Sequence, residues 1–236
     1  MKKINFSQIA ILIVGIFIAG NFFCQDNPEK TEMQKTESDI IQLPTPNFKS
    51  NTSIEEALQK RRSVRDYSNE PLSLPEVSQI LWAAQGITDK TYGLRTSPSA
   101  GALYPLEVYL VAANVRDLPA GIYKYYLQDH SIKKISEGDK RTAISNAALR
   151  QDAIENSSAM IIITAIYERT SVKYGKRGER YINMEVGHVG QNIYLQAVSL
   201  GLGTVMIGAF DDEALKKALN LPANEFPLAL YPLGKI

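Results

Sequence analysis

Three features of this chain predict an α+β domain. Residues 160–167 form an unbroken apolar run of strand length, the pattern of a strand covered on both faces. Residues 107–113, 121–127 and 132–135 are β-branched and aromatic segments that follow one another closely, and they read as an antiparallel part of a sheet. Helical spacing surrounds them, and the longest such pattern runs over 182–200. The 236 residues, 44% hydrophobic and 22% charged, suffice for one domain with an adequate core plus a tail. A formal net charge of +1 gives no support for a nucleic-acid partner. One cysteine excludes an internal disulfide framework and a Cys-based zinc site.

The front end stands apart from the fold. Lys2 and Lys3 precede an apolar run over 9–19 that Gly20 and Asn21 break. Such a run is short for a hydrocarbon core of ~30 Å, so residues 1–25 read as a signal peptide, or as an N-terminal membrane anchor if Phe22 and Phe23 extend the span. Cys24 follows Phe23 where a lipidation site wants a small residue. Either way the chain is expected to be exported, to the periplasm or cell envelope, and to meet a membrane only through this segment. Residues 26–50 are polar and proline-punctuated, the composition of a disordered tether, and leave 51–236 as the folded domain.

Within the domain, Ser53 and Glu56 form a capping-box pattern, with Ile54, Ala57 and Leu58 on one helical face. Ser73, Pro75 and Glu76 open a second helix that Gly86 stops, and Trp82 on it is expected in the core. His130 sits in a polar turn and is expected at the surface. Asp211 caps a helix through Leu219, and a last strand covers 226–233.

Four stretches carry candidate chemistry. Arg61, Arg62, Ser63 and Arg65 put three guanidiniums and a hydroxyl within five residues, a set that binds phosphate bidentately or forms a solvated basic turn. Residues 95–105 include Ser99, Ala100, Gly101 and Ala102, small enough to bring backbone amides close to a ligand. Residues 169–181 hold five cations just past the buried strand, where α/β proteins place their chemistry; the alternative is a solvated loop. Gly201, Gly203 and Gly208 mark a strand-like stretch that is not a dinucleotide fingerprint. Glu185 and His188, three apart on a helix, give poor support for a metal, and none is expected.

Taken in order, these stretches resemble the nitroreductase-like flavoproteins, from about Ser53 to Lys235. The Gly101-Ala102-Leu103-Tyr104-Pro105 sequence resembles their SagB/ThcOx-type dehydrogenases, which carry Ala and Tyr where others have Asn and Gln. The resemblance implies an α+β nitroreductase-like fold, a mostly antiparallel central sheet flanked by helices, and a homodimer with FMN at its interface. It implies that Arg61, Arg62, Ser63 and Lys235 serve the FMN phosphate and ribityl chain, and that Arg65 lies at the pyrimidine edge. Ser99 and Gly101 would lie against the flavin, with Ile207 and Gly208 passing its ring near N5. Lys173-Tyr174 matches the pair that is the candidate acid–base group of azoline-oxidising members. The expected function is FMN-dependent oxidoreduction of a small molecule by hydride transfer. The alternatives are an azoline dehydrogenase of peptide maturation and a non-catalytic flavin-binding envelope protein.

Overall fold

The computed structural model describes residues 40–236. Sixteen elements follow one another: β1 Ile40–Gln42, α1 Ile54–Lys60, α2 Leu74–Gln85, β2 Ile87–Asp89, β3 Leu94–Arg95, β4 Leu106–Ala112, β5 Gly121–Tyr126, β6 Ser131–Glu137, α3 Arg141–Ala147, α4 Asp152–Glu155, β7 Ala159–Ala165, α5 Glu168–Tyr174, α6 Gly178–Ser199, β8 Leu202–Thr204, α7 Asp212–Leu219 and β9 Phe226–Lys235. The signal or anchor expected over 1–25, and the tether up to residue 39, lie outside the described residues. Among the described residues no helix is long and apolar enough to cross a membrane.

Seven strands form one sheet in the order β1-β6-β5-β4-β7-β9-β8, and every neighbouring pair is antiparallel. The apolar run is β7, at the centre between β4 and β9. Period-two alternation explains why it is apolar throughout. Ile161, Ile163 and Ala165 pack with Val77, Ile80 and Leu81 of α2 and Val186, Val189 and Ile193 of α6. Met160 and Ile162 face the other way, against Ile144 of α3, Ile154 of α4 and Leu215 and Leu219 of α7. The α+β architecture with flanking helices is thus the one expected. The helix starts are as read: Ser53 Oγ accepts from Glu56 N–H at 3.1 Å, Ser73 and Glu76 close a full capping box, and Asp211 Oδ1 accepts from Ala214 N–H at 2.7 Å.

Several expectations need correction. The folded part begins before residue 51, inside the stretch expected as a tether. Ile40–Gln42 pairs with β6, Leu43 is buried, and Asn47 N–H donates to Gln79 Oε1 at 2.8 Å. Trp82 is only half-buried, edge-on to Phe48 at 5.3 Å between ring centroids. The apolar face of α1 is not covered either; Ala57 is buried while Ile54 and Leu58 are more than half exposed.

His130 is not a free surface residue; half-buried, it clasps the N-terminal segment. Its Nδ1 lies 2.8 Å from Tyr125 Oη, and its Nε2 lies 2.8 Å from Ser78 Oγ and 3.0 Å from the Pro44 carbonyl. Burial holds its pKa below the ordinary value, and the Pro44 carbonyl offsets this only in part. The unfolded chain therefore binds this proton more readily than the folded one. Stability from the site is complete above the ordinary histidine pKa of about 6.5 and declines as pH falls through it. In denaturant titrations at about pH 7.5 and about pH 5.5, the wild type should lose more stability on acidification than His130→Gln does. The same loss in both proteins would remove His130 from the acid response.

Candidate functional site

The basic stretch after α1 is held by two backbone amides and by the side chains of Val64 and Tyr67. Val64 N–H donates to the Thr204 carbonyl at 2.9 Å, and Ser68 N–H to the Lys235 carbonyl at 2.9 Å, which lays the segment along β8 and β9. Gly203 and Gly234 make this possible. A Cβ on Gly203 would stand 2.8 Å from Val64 Cγ1, and one on Gly234 would stand 2.5 Å from Tyr67 Cβ. With Val64 and Tyr67 turned inward, Arg62, Ser63 and Arg65 are left exposed and Arg61 half-buried. The Arg61 guanidinium lies 5.2 Å from the Tyr194 ring centroid, and Ser63 Oγ is 3.1 Å from Tyr194 Oη. Tyr194 Oη also accepts from Met206 N–H at 2.8 Å, which brings the Met206–Gly208 stretch to the same place. Ile207 is buried and bonded to Leu230 in both directions, whereas Gly208 is exposed with open space beside it.

Arg61, Ser63 and Arg65, with the uncovered backbone at Gly208, form a donor set with the chemistry an FMN phosphate and ring edge require. Among the described residues none of the three arginines is in an ion pair. Two expected members sit differently. Arg62 turns back, its Nη1 donating to the Gln59 carbonyl at 3.0 Å and the Arg61 carbonyl at 2.7 Å. Lys235 is ion-paired with Glu76, the capping-box carboxylate of α2, and so is already engaged.

A second group gathers at the loop before β4. Gly101, Ala102 and Tyr104 all have positive φ, at 63°, 53° and 47°. Two non-glycine residues in that region cost free energy and persist because the surroundings hold them. Ser99 Oγ accepts from Tyr104 N–H at 2.9 Å. The Arg95 guanidinium stacks over the Tyr104 ring at 4.0 Å, and Arg169 Nη1 donates to the Tyr104 carbonyl at 3.1 Å. Lys173 and Tyr174 belong to this group. A Cβ on Gly101 would stand 2.8 Å from Tyr174 Oη and 3.0 Å from Lys173 Nζ, so only glycine lets the pair come this close. The Tyr174 ring meets Tyr181 of α6 edge-on at 4.9 Å.

The pair lies on α5, not on the irregular loop expected over 169–181. The helix follows β7 directly, with Thr170 buried beneath it and Gly175 closing it at φ 54°. The connection of Gln85, Arg95 and Glu185 below the loop was not read from the sequence, which weighed Glu185 only as a metal ligand. Arg95 Nη1 donates to Gln85 Oε1 at 3.1 Å, and Gln85 Nε2 to Glu185 Oε1 at 3.4 Å. Burial pushes the Glu185 carboxyl above its usual range, against the opposing pull of Ser99, Gln85 and Arg95. Glu185 is buried and His188 exposed, so the two do not converge. A wider ion network runs from Glu225 through Lys124 and Glu107 to Arg169, with contacts of 3.0, 3.0 and 2.6 Å. Arg169 thus ties α5 to the strained loop and fixes where Lys173 and Tyr174 stand.

No hydrogen bond or ion pair joins the two groups among the described residues. Both lean on α6, the first at Tyr194 and the second through Tyr174 at Tyr181, while the start of its loop reaches Asn192, whose Nδ2 donates to the Thr96 carbonyl and to Ser97 Oγ at 3.2 and 2.9 Å. Thirteen residues of helix separate Tyr181 from Tyr194, about 20 Å at 1.5 Å per residue.

Residues 58–235 match the model of the Nitroreductase family. A nitroreductase-type protein of Methanocaldococcus jannaschii is 46% identical over 197 residues, 84% of this chain and 98% of that one. The chain belongs to the nitroreductase family. A nitroreductase-type crystal structure from Ralstonia eutropha is similar at TM-score 0.75 and 27% identity, covering 84% of this chain and 89% of the other. The microcin B17-processing protein of Escherichia coli is 27% identical over 155 residues, 64% of this chain and 57% of its own length. Members of the nitroreductase family generally bind FMN, and the donor set at Arg61, Ser63 and Arg65 is compatible with that.

Proposed function

We propose that the protein is an exported FMN-dependent oxidoreductase that works as a homodimer on a small-molecule substrate. Arg61 and Ser63 would hold the cofactor phosphate, and Arg65 and the backbone at Ile207–Gly208 would serve the rest of the group. FMN bound there would supply hydride transfer. The guanidinium of Arg65 stabilises negative charge there. Lys173 and Tyr174 hold or move the proton that the substrate exchanges when it gains or loses hydride, and Arg169 keeps them in place.

The observation that carries this reading is the separation of the two groups. With the phosphate at Arg61, the pair's contact at Tyr181 stands about 20 Å along α6 from the phosphate residues' contact at Tyr194, a long reach within one chain. A site completed by the partner's Lys173 and Tyr174 removes the difficulty. Uncovered apolar side chains support a two-fold contact: Phe48, Ile54, Leu58 and Met184 are each more than half exposed, and Gly187 has open space beside it.

Subunit complementation tests it. Arg61→Ala and Lys173→Ala, each inactive alone, should regain about a quarter of wild-type turnover when co-expressed, since each mixed dimer holds one intact site. Sites built within one chain would give no recovery. An azoline dehydrogenase remains the second reading, favoured by the convergence of Lys173 and Tyr174 on Gly101. Oxidation of a thiazoline-containing peptide in preference to turnover of small acceptors would establish it.

A further inference from the structure

Tyr104 is held at three points, and the proposed chemistry does not use it. Its backbone stands at φ 47°, a region that strains a residue with a side chain. Its N–H donates to Ser99 Oγ at 2.9 Å, and its carbonyl accepts from Arg169 Nη1 at 3.1 Å. The Arg95 guanidinium covers one face of its ring, 4.0 Å from the centroid. Arg95 is itself braced from beneath. Its Nη1 donates to the fully buried Gln85, which in turn donates to Glu185, 2% exposed. Side chains from α2, β3, α5 and α6 thus converge around this one residue.

None of these contacts uses the hydroxyl. Tyr104 is half-buried, and among the described residues its Oη makes no hydrogen bond. Nor is it among the side-chain oxygens sealed away without a partner, so it stays open to solvent. Tyr67, Tyr109, Tyr123 and Tyr125, by contrast, each bond through theirs. Phenylalanine would stack on Arg95 as well, and glycine would take the positive φ without strain. What holds Tyr104 accounts for its backbone and ring, and leaves the O–H without a structural task.

The residue stands beside the reacting end. Arg169 and Lys173 are four apart on α5, so they share a face, about 6 Å apart along the axis. Arg169 meets the Tyr104 carbonyl, and Lys173 Nζ lies 3.0 Å from where a Cβ on Gly101 would stand. That face of α5 runs along the loop, and places Tyr104 about one helical turn from the pair.

We propose that the Tyr104 hydroxyl is a substrate contact, donating a hydrogen bond to the oxygen or nitrogen of a polar double bond in a small organic acceptor. Charge builds on that atom when the substrate gains hydride. The O–H stabilises it, and the Lys173–Tyr174 pair supplies the proton. The Arg95 guanidinium behind the ring favours the same charge. The inference rests on the reacting end assigned above and adds the group by which the substrate is recognised.

The test is Tyr104→Phe, which keeps every contact that holds the residue. The probe is 4-nitroacetophenone, whose carbonyl and nitro oxygens both accept hydrogen bonds. In calorimetric titration of the purified full chain, the variant should bind it about three- to ten-fold more weakly than wild type. In single-turnover reoxidation of the reduced, FMN-loaded protein, its limiting rate should fall about ten- to hundred-fold, because the bond strengthens as charge develops. Melting temperature and FMN affinity should not change. Equal affinity and rate in the two proteins would overturn the proposal. So would a variant that loses stability or FMN, since the hydroxyl would then serve the fold or the cofactor. A wild type that does not bind the probe overturns it too. A wild type that binds the probe and never turns it over counts against the oxidoreductase reading, while the titration still decides the hydroxyl.

Discussion

Arg61→Ala should empty the cofactor site and leave the fold standing. The guanidinium packs against Tyr194 at the protein's edge and belongs to neither face of the core. Its neighbours Val64 and Tyr67 seat the segment without it, through Thr204 and the two glycines beneath them. Loss of the cation–π contact should cost about 0.5–1 kcal/mol of stability. Loss of a desolvated phosphate partner costs much more, about 2–5 kcal/mol of binding, or roughly a 30- to 5000-fold rise in Kd. FMN titration of the refolded apoprotein, beside a thermal melt, reads both quantities. Lys235→Ala provides the contrast. Its ammonium is bound to Glu76, so its removal should disturb the start of α2 more than it weakens FMN. Unchanged FMN affinity in Arg61→Ala would remove the phosphate assignment. A larger loss in Lys235→Ala would show that its ion pair opens to receive the cofactor.

What could be read from the sequence was what local chemistry decides. The centre of the sheet was legible because Met160–Ala165 is apolar on both faces, and both faces are covered. Three helix starts were legible because Ser53, Ser73 and Asp211 each accept from an amide three residues on. Misreadings arose where a distant contact decides. Nothing near His130 announces that Pro44, Ser78 and Tyr125 will converge on it, and nothing near Ile40 announces an open edge of β6. Arg95, Gln85 and Glu185 come from a short strand and two helices, so no spacing connects them. The helix under Lys173 was missed although its stop signal was present: a basic last turn followed by glycine at positive φ. The cluster of cations drew the reading toward a loop.

Lys173→Ala and Tyr174→Phe should each slow turnover by about 10²–10⁴-fold with FMN still bound. The expectation follows from placement. The pair stands over Gly101 and shares no hydrogen bond or ion pair with Arg61 or Ser63 among the described residues, so its removal leaves the proposed cofactor contacts of its own chain untouched. Tyr174 also meets Tyr181 edge-on, a contact that phenylalanine preserves, and α5 remains tied to the loop by Arg169. Tyr174→Phe therefore removes a hydroxyl and little else. The measurement is single-turnover reoxidation of the reduced flavin by a chosen acceptor, in wild type and both variants, with the flavin spectrum confirming occupancy. A drop in rate at full occupancy makes the pair acid–base groups. Arg169→Met then gives a second reading. Freed from the Tyr104 carbonyl and Glu107, α5 should place the pair less accurately. Turnover should fall by less than in Lys173→Ala, while the pH profile keeps its shape. Equal rates in Lys173→Ala, Tyr174→Phe and wild type would take the pair out of catalysis, and Gly101 would then be small only to let α5 pack.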